Sequence, residues 1–269
     1  MTQSTAPSKR PPKHEFDGED SASIFITRHG ETALNKDGKL RGWADPPLNS
    51  TGMAQAREAG EFFEDIKVDR IYSSDLKRSM QTAKSISETT GAPVEQMIAL
   101  RPMNYGDWNG QLLTVVGPLM DKLQEKWKTN PDASPPNGES FTKFQKRLIN
   151  FYETVIKSLD AQDSVVLTCH LSVFNFLACY ILNNRKPLEG DDLDKLGNVT
   201  QEEGSISKVK YDPKTDDSQF QFMNILSTQD GEEENSKEED ENGSALGKRD
   251  GKKEEKKSTS SFSQALSRK

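Results

Sequence analysis

The sequence predicts an α/β fold, a largely parallel sheet covered by helices on both faces, and three observations carry that prediction. Short β-prone runs alternate with amphipathic helical stretches along most of the chain. Two of the runs, Ile24-Phe25-Ile26 and Val165-Val166-Leu167-Thr168-Cys169, are continuous and apolar, as strands buried on both sides must be. Each leads directly to a histidine, His29 or His170, while the third histidine, His14, lies in a polar stretch. Strand ends in open parallel sheets are where ligands gather.

The elements follow in order. After the first strand, ending at Thr27, a loop over 36–48 contains Gly42, Pro46 and Pro47. A helix is expected over 50–66, with Met53, Ala56, Gly60, Phe63 and Ile66 on one face. Asp69 to Ser73 reads as the next strand. Ser74 is a good N-cap for a helix that buries Leu76, Met80, Ala83 and Ile86 and that Gly91 ends. Val94 to Leu100 reads as a strand, and a helix over 116–128 precedes the Pro-rich turn from Asn130 to Gly138. The clearest helix is 139–159, where Phe141, Phe144, Leu148, Phe151, Val155 and Leu159 recur at steps of three and four. The His170 strand, an apolar helix over 173–182 and two late strands, 205–211 and 219–226, complete the pattern, with no internal repeat.

Composition sets the boundaries. The 269 residues are 32% hydrophobic and 29% charged, with a formal charge of -7, but the polarity is uneven. Residues 1–20 and 229–269 carry no strand or helix pattern and too few apolar residues to offset ordering entropy, so both are expected to be disordered tails. Residues 21–228 then form one domain with a sizeable core. The C-terminal segment runs from acidic, Gly231-Glu232-Glu233-Glu234, to basic, Gly247-Lys248-Arg249-Asp250-Gly251-Lys252-Lys253. It is a candidate contact arm for a protein partner and the one feature that would suit a nuclear location. No basic stripe with interleaved aromatics argues for nucleic-acid binding, and no apolar run is long enough for a membrane span. Cys169 and Cys179 fall inside apolar elements and read as buried thiols, which points to a reducing, cytoplasmic setting.

The chemistry lies in three separated pieces. Thr27-Arg28-His29-Gly30-Glu31-Thr32 delivers an arginine and a histidine to one strand end. A neutral imidazole can attack phosphorus, and a guanidinium matches phosphate oxygens with a two-pronged fork. Ser73-Ser74-Asp75-Leu76-Lys77-Arg78 places Arg78 in the first turn of a helix after a second strand, where guanidinium and helix dipole act together on an anion. His170 ends a third strand and completes a ring of two arginines and two histidines around a phosphoryl group. Glu31 is read as support for the turn, and Trp43 and Trp108 as packing or substrate walls. A Cys169-His170 thiol centre is discounted, because adjacent strand residues face opposite ways.

These pieces, with Asn35, the stretch from Gly42 to Gly52 around Asp45, Pro47 and Leu48, and Gln81-Thr82-Ala83, resemble the histidine phosphatase (phosphoglycerate mutase-like) superfamily. Gly106-Asp107-Trp108-Asn109-Gly110 and Gly138-Glu139-Ser140 fall where that family has similar segments. The resemblance spans 23–211 and implies a three-layer α/β/α sandwich and a phosphohistidine intermediate on His29. It places Arg28, Asn35, Arg78 and His170 in the phosphate pocket, with a phosphorylated small molecule as substrate and no metal or other cofactor. Two positions depart from it: Leu171 stands where the family usually has glycine, and Pro102 where it commonly has the glutamate that protonates the leaving oxygen. Asp107 and Glu139 are the candidate stand-ins for that acid. The reading is a phosphomonoesterase. Its alternative is a weak or inactive pseudophosphatase that holds a phosphorylated ligand.

Overall fold

The computed structural model describes residues 20–226, and apart from Asp20 the two expected tails lie outside the described residues. Six strands form one sheet in the order β3-β2-β4-β1-β5-β6: β1 (Ala22–Arg28), β2 (Arg70–Ser73), β3 (Val94–Gln96), β4 (Ser164–Cys169), β5 (Ile206–Asp212) and β6 (Asp217–Ile225). The first four are mutually parallel, whereas β5 joins β1, and β6 joins β5, antiparallel. Six α-helices accompany them: α1 (Ala33–Lys36), α2 (Ser50–Phe62), α3 (Lys77–Thr90), α4 (Leu113–Trp127), α5 (Phe141–Val155) and α6 (Leu171–Leu182).

Alternation along the strands builds the layers. Phe25 of β1 and Val166 of β4 face a cluster made with Ala59, Phe62 and Phe63 of the α2 segment and Ala83 and Ile86 of α3. Their neighbours Ile24, Ile26, Val165 and Leu167 face the larger cluster under α4, α5 and α6. Helix α5 contributes Phe141, Phe144, Leu148, Phe151 and Tyr152 to that core, each large side chain contributing about 1.5–3 kcal/mol by leaving water. A sheet between two helical layers is the expected sandwich.

The differences from the sequence reading are local. Helix α2 stops at Phe62 because the chain turns from Phe63 onward, and Asn49 caps it by accepting from the Gly52 N–H. The strand expected over 94–100 pairs only as far as Gln96, then tightens into a 3-10 turn over Ile98–Leu100. Helix α4 begins a turn early, at Leu113, and accommodates Pro118. Helix α5 starts at Phe141 behind the Ser140 cap, which leaves Glu139 outside the helix and away from the first-turn position assigned to it. Ser74 does not cap α3: Leu76 holds the cap position without a side-chain bond, and the Ser74 hydroxyl turns to His170. Gly91 ends α3 as expected, with φ +73° and its N–H on the Ser87 carbonyl. Both cysteines are buried free thiols. Among the described residues no helix is long and apolar enough to cross a membrane.

Candidate active site

Register brings the two histidines together. Strands β1 and β4 are adjacent and parallel, with Thr27 opposite Thr168 and Arg28 opposite Cys169, so the next residues, His29 and His170, emerge side by side. Their ring centroids are 5.0 Å apart. Strand β2 flanks β4 with Ser73 opposite Thr168, which carries Ser74 to the same edge. The turn after β1 is fixed by close backbone approach: a Cβ on Gly30 would overlap the Gly52 backbone. The Glu31 carboxylate accepts from Asn49 Nδ2 at 2.6 Å, which ties that turn to the start of α2 as expected.

Hydrogen bonds define the tautomer of His29. Its Nδ1 lies 2.7 Å from the Gly30 carbonyl, which can only accept, so Nδ1 carries the proton. Arg78 Nε donates to Nε2 at 3.2 Å, which requires a lone pair there. The ring is 2% exposed, and burial, followed by Arg78 and Arg28, holds its pKa well below 6.5. His29 is therefore held in the neutral form, with its Nε2 lone pair directed at the Arg78 Nε–H. His170 is also kept neutral, by burial, Arg78 and His29. Its Nε2 lies 2.9 Å from Ser74 Oγ, and its buried Nδ1 has no partner among the described residues.

Three arginines surround the pair. Arg78, 1% exposed, spends NH1 on the Ala44 carbonyl at 2.7 Å and NH2 on the Gly42 carbonyl at 2.9 Å. Burial and the charge of Arg41 bring its pKa down to about 9, still protonated near neutrality. Arg28 donates from NH1 to the Gln201 carbonyl at 2.7 Å and from NH2 to Glu203, while its buried Nε has no acceptor among the described residues. Burial lowers its pKa against the pull of Glu203. Asn35 closes a capping box with Thr32 and donates from Nδ2 to the same Glu203 oxygen at 2.5 Å. Arg41 is brought down to about 10 by burial and by Arg28. Mutually repelling, desolvated guanidinium groups beside two neutral imidazoles make a site whose energetic deficit is negative charge.

The region around Pro102 is built differently. Pro102 is buried, and its carbonyl accepts from Trp43 Nε1 at 2.9 Å and from Arg147 NH2 at 2.8 Å. Arg147 also donates to the carbonyls of Ala99 and Arg101 and to both oxygens of Glu139. Glu139 Oε1 additionally accepts from the Asn104 N–H at 2.7 Å. Asp107 is exposed and bonded to Asn137 Nδ2 at 3.0 and 3.1 Å. The fold thus gathers Arg28, His29, Asn35, Arg78 and His170, whereas the hydrogen bonds of Glu139 go to Arg147 and the Asn104 N–H, and those of Asp107 to Asn137. Trp43 stacks under Arg101, its ring 4.6 Å from the guanidinium. The Cys169 thiol is pushed up to about 12 by burial, which bars a thiolate there.

Sequence reasoning missed Arg41, Glu203 and the Ser74–His170 contact. Arg41 had a signal, a basic residue just before Gly42 in the loop after α1. Glu203 had none, since it lies in an irregular segment 174 positions after His29.

The comparisons with known proteins agree with this geometry. Residues 24–224 match the model of the histidine phosphatase superfamily (branch 1), and the chain belongs to that family. It is 37% identical over 127 residues to the uncharacterized phosphatase PhoE of Bacillus subtilis, a match covering 47% of this chain and 61%, less than two thirds, of that protein. It is 30% identical over 154 residues to the phosphoglycerate mutase of Schizosaccharomyces pombe, covering 55% of this chain and 73% of the relative. The fold is shared with Bacillus stearothermophilus YhfR, at a TM-score of 0.65 and 24% identity over 76% of this chain and 98% of that one. Nothing in these comparisons supports a pseudophosphatase that only binds.

Proposed function

We propose that this chain is a phosphomonoesterase that works through a phosphohistidine on His29, within one domain over residues 21–228. A single observation carries the reading: a buried, neutral His29 whose Nδ1–H is fixed on a carbonyl and whose Nε2 lone pair lies among arginines. Nε2 attacks the phosphorus of a phosphate ester, the P–N bond forms and the bond to the leaving oxygen breaks. Arg28, Arg78, Asn35 and His170 hold the three non-bridging oxygens, whose charge the cationic pocket stabilises. Water then attacks the phosphohistidine, the P–N bond breaks, inorganic phosphate leaves and the lone pair returns to Nε2. The substrate class is a phosphorylated small molecule. No carboxylate is assigned to protonate the leaving oxygen, because Glu139 and Asp107 are committed elsewhere.

The test is single-turnover labelling with a phosphate-labelled aryl ester. Acid-labile label should appear on the wild type and none on His29→Ala, whose turnover falls by a factor on the order of 10⁵ or more. Full turnover by a clean His29→Ala preparation would exclude the covalent route.

A further inference from the structure

Arg28 and Asn35, two of the donors assigned to the phosphoryl group, converge on one protein oxygen. Glu203 Oε1 accepts from Arg28 NH2 and, at 2.5 Å, from Asn35 Nδ2, and its side chain is only 16% exposed. An oxygen held between a guanidinium and an amide has the surroundings of a bound phosphoryl oxygen. It receives both bonds as an acceptor. We propose that Glu203 occupies, in the ligand-free protein, the place of one phosphoryl oxygen, and that the dianionic phosphate of a substrate displaces it from Arg28 and Asn35. This rests on the phosphate-pocket reading above.

Three observations favour an exchangeable carboxylate over a permanent strut. Arg28 is already oriented without it, by NH1 on the Gln201 carbonyl, and the buried Arg28 Nε still has no acceptor among the described residues. The backbone around Glu203 is tied down, so the exchange is a side-chain rotation. The Glu202 N–H is on Asn224 Oδ1 at 2.8 Å and the Gly204 N–H on the Arg28 carbonyl at 3.0 Å. Gly204 holds φ +78°, with Gln55 packed against it. Finally, a second cation is at hand. Arg41 feels the charge of Glu203, and the one hydrogen bond of its side chain among the described residues is a long one, 3.3 Å to the Lys39 carbonyl. When phosphate takes Arg28, the displaced carboxylate pairs with Arg41. After hydrolysis it returns and helps expel inorganic phosphate. Glu203 thereby sets affinity for substrate and product alike, in the direction of weaker binding.

The measurement is calorimetric titration of inorganic phosphate into the full chain as wild type, Glu203→Gln and Glu203→Ala, with thermal melts to confirm folding. Both variants should bind phosphate more tightly, Glu203→Gln by about tenfold, the scale of one hydrogen bond to a charged group. The KM for an aryl phosphate should fall in parallel. Unchanged or weaker phosphate binding by either folded variant overturns the inference and makes Glu203 a strut for Arg28. If the wild type and both variants bind no phosphate at all, the pocket reading itself falls, and this inference with it.

Discussion

Two groups of residues, at the β1/β4 edge and around Pro102, use their polar groups in different ways. At the β1/β4 edge, the Nδ1 of His170 and the Nε of Arg28 are buried without a hydrogen-bond partner among the described residues, and the Nε2 lone pair of His29 has only the Arg78 Nε–H, at 3.2 Å. Around Pro102 most polar groups are spent, with Arg147 reaching three carbonyls and both oxygens of Glu139, although Tyr105 Oη and Asn109 Oδ1 nearby are also buried without a partner among the described residues. Unsatisfied buried polar atoms are costly, so they persist where a ligand will satisfy them. Fully satisfied networks hold loops in shape. On this comparison we propose that Glu139, one of the two acid candidates, acts as a scaffold residue.

The contrast is broken most directly at Arg147. Its replacement by alanine leaves Glu139 without its cation and the carbonyls of Ala99 and Arg101 without their donor. The pair is largely buried, with side chains 19% and 12% exposed, so losing one partner should cost on the order of 3–5 kcal/mol of folding stability. Urea unfolding measures that loss. Turnover per folded molecule should fall less than tenfold, and a larger fall with unchanged stability would put Arg147 on the chemical side.

Arg78 belongs to both sides, because it lies against His29 and also donates to the carbonyls of Ala44 and Gly42. Arg78→Ala should cost about 3 kcal/mol in kcat/KM, the scale of one lost oxyanion donor, and should lower Tm as well, since two carbonyls lose their donor. The pH profile adds a signature. Arg78 is the second cause, after burial, of the lowered His29 pKa, so the neutral imidazole of the wild type persists well below pH 6.5. Removing that cation raises the pKa, and the acid limb of kcat/KM should move to higher pH. An unmoved limb would mean that His29 ionisation does not control it.

How much of this was legible in the sequence depended on what fixes each residue. His29 and His170 were legible because β1 and β4 are apolar runs that must be buried, and strand register does the rest. Arg78 was legible because it opens a helix with clear periodicity. Ser74 was misjudged as a cap, since local sequence offers it two acceptable partners and only the tertiary fold supplies His170. Glu203 and Arg41 were invisible as site residues because irregular segments deliver them, and no periodicity fixes where a loop crosses a sheet edge. Glu139 looked catalytic for a related reason: its partner Arg147 is recognisable only once the loop over 99–104 is folded onto α5.

The smallest expected effect is also the finest probe of the comparison. If, as the family resemblance implies, Pro102 stands where an acid would, and Glu139 stays bound to Arg147, an alkoxide leaves without a positioned proton donor, whereas an aryloxide or acyl leaving group needs little help. The rate of the wild type should therefore fall steeply as leaving-group pKa rises across a series of phosphate esters. Glu139→Gln should not steepen that dependence, because its carboxylate acts on Arg147 and Asn104 instead of the substrate. Its cost should appear in the melting temperature. Pro102→Glu should flatten the dependence by raising alkyl phosphate turnover, by about tenfold, the lower range of what a general acid supplies. The bonds of the Pro102 carbonyl to Trp43 and Arg147 survive that change, since they involve the backbone oxygen alone. A wild-type rate independent of leaving-group pKa would show that breaking the ester bond is not the slow step. A selective loss of alkyl turnover in Glu139→Gln would make Glu139 the acid instead of a scaffold residue.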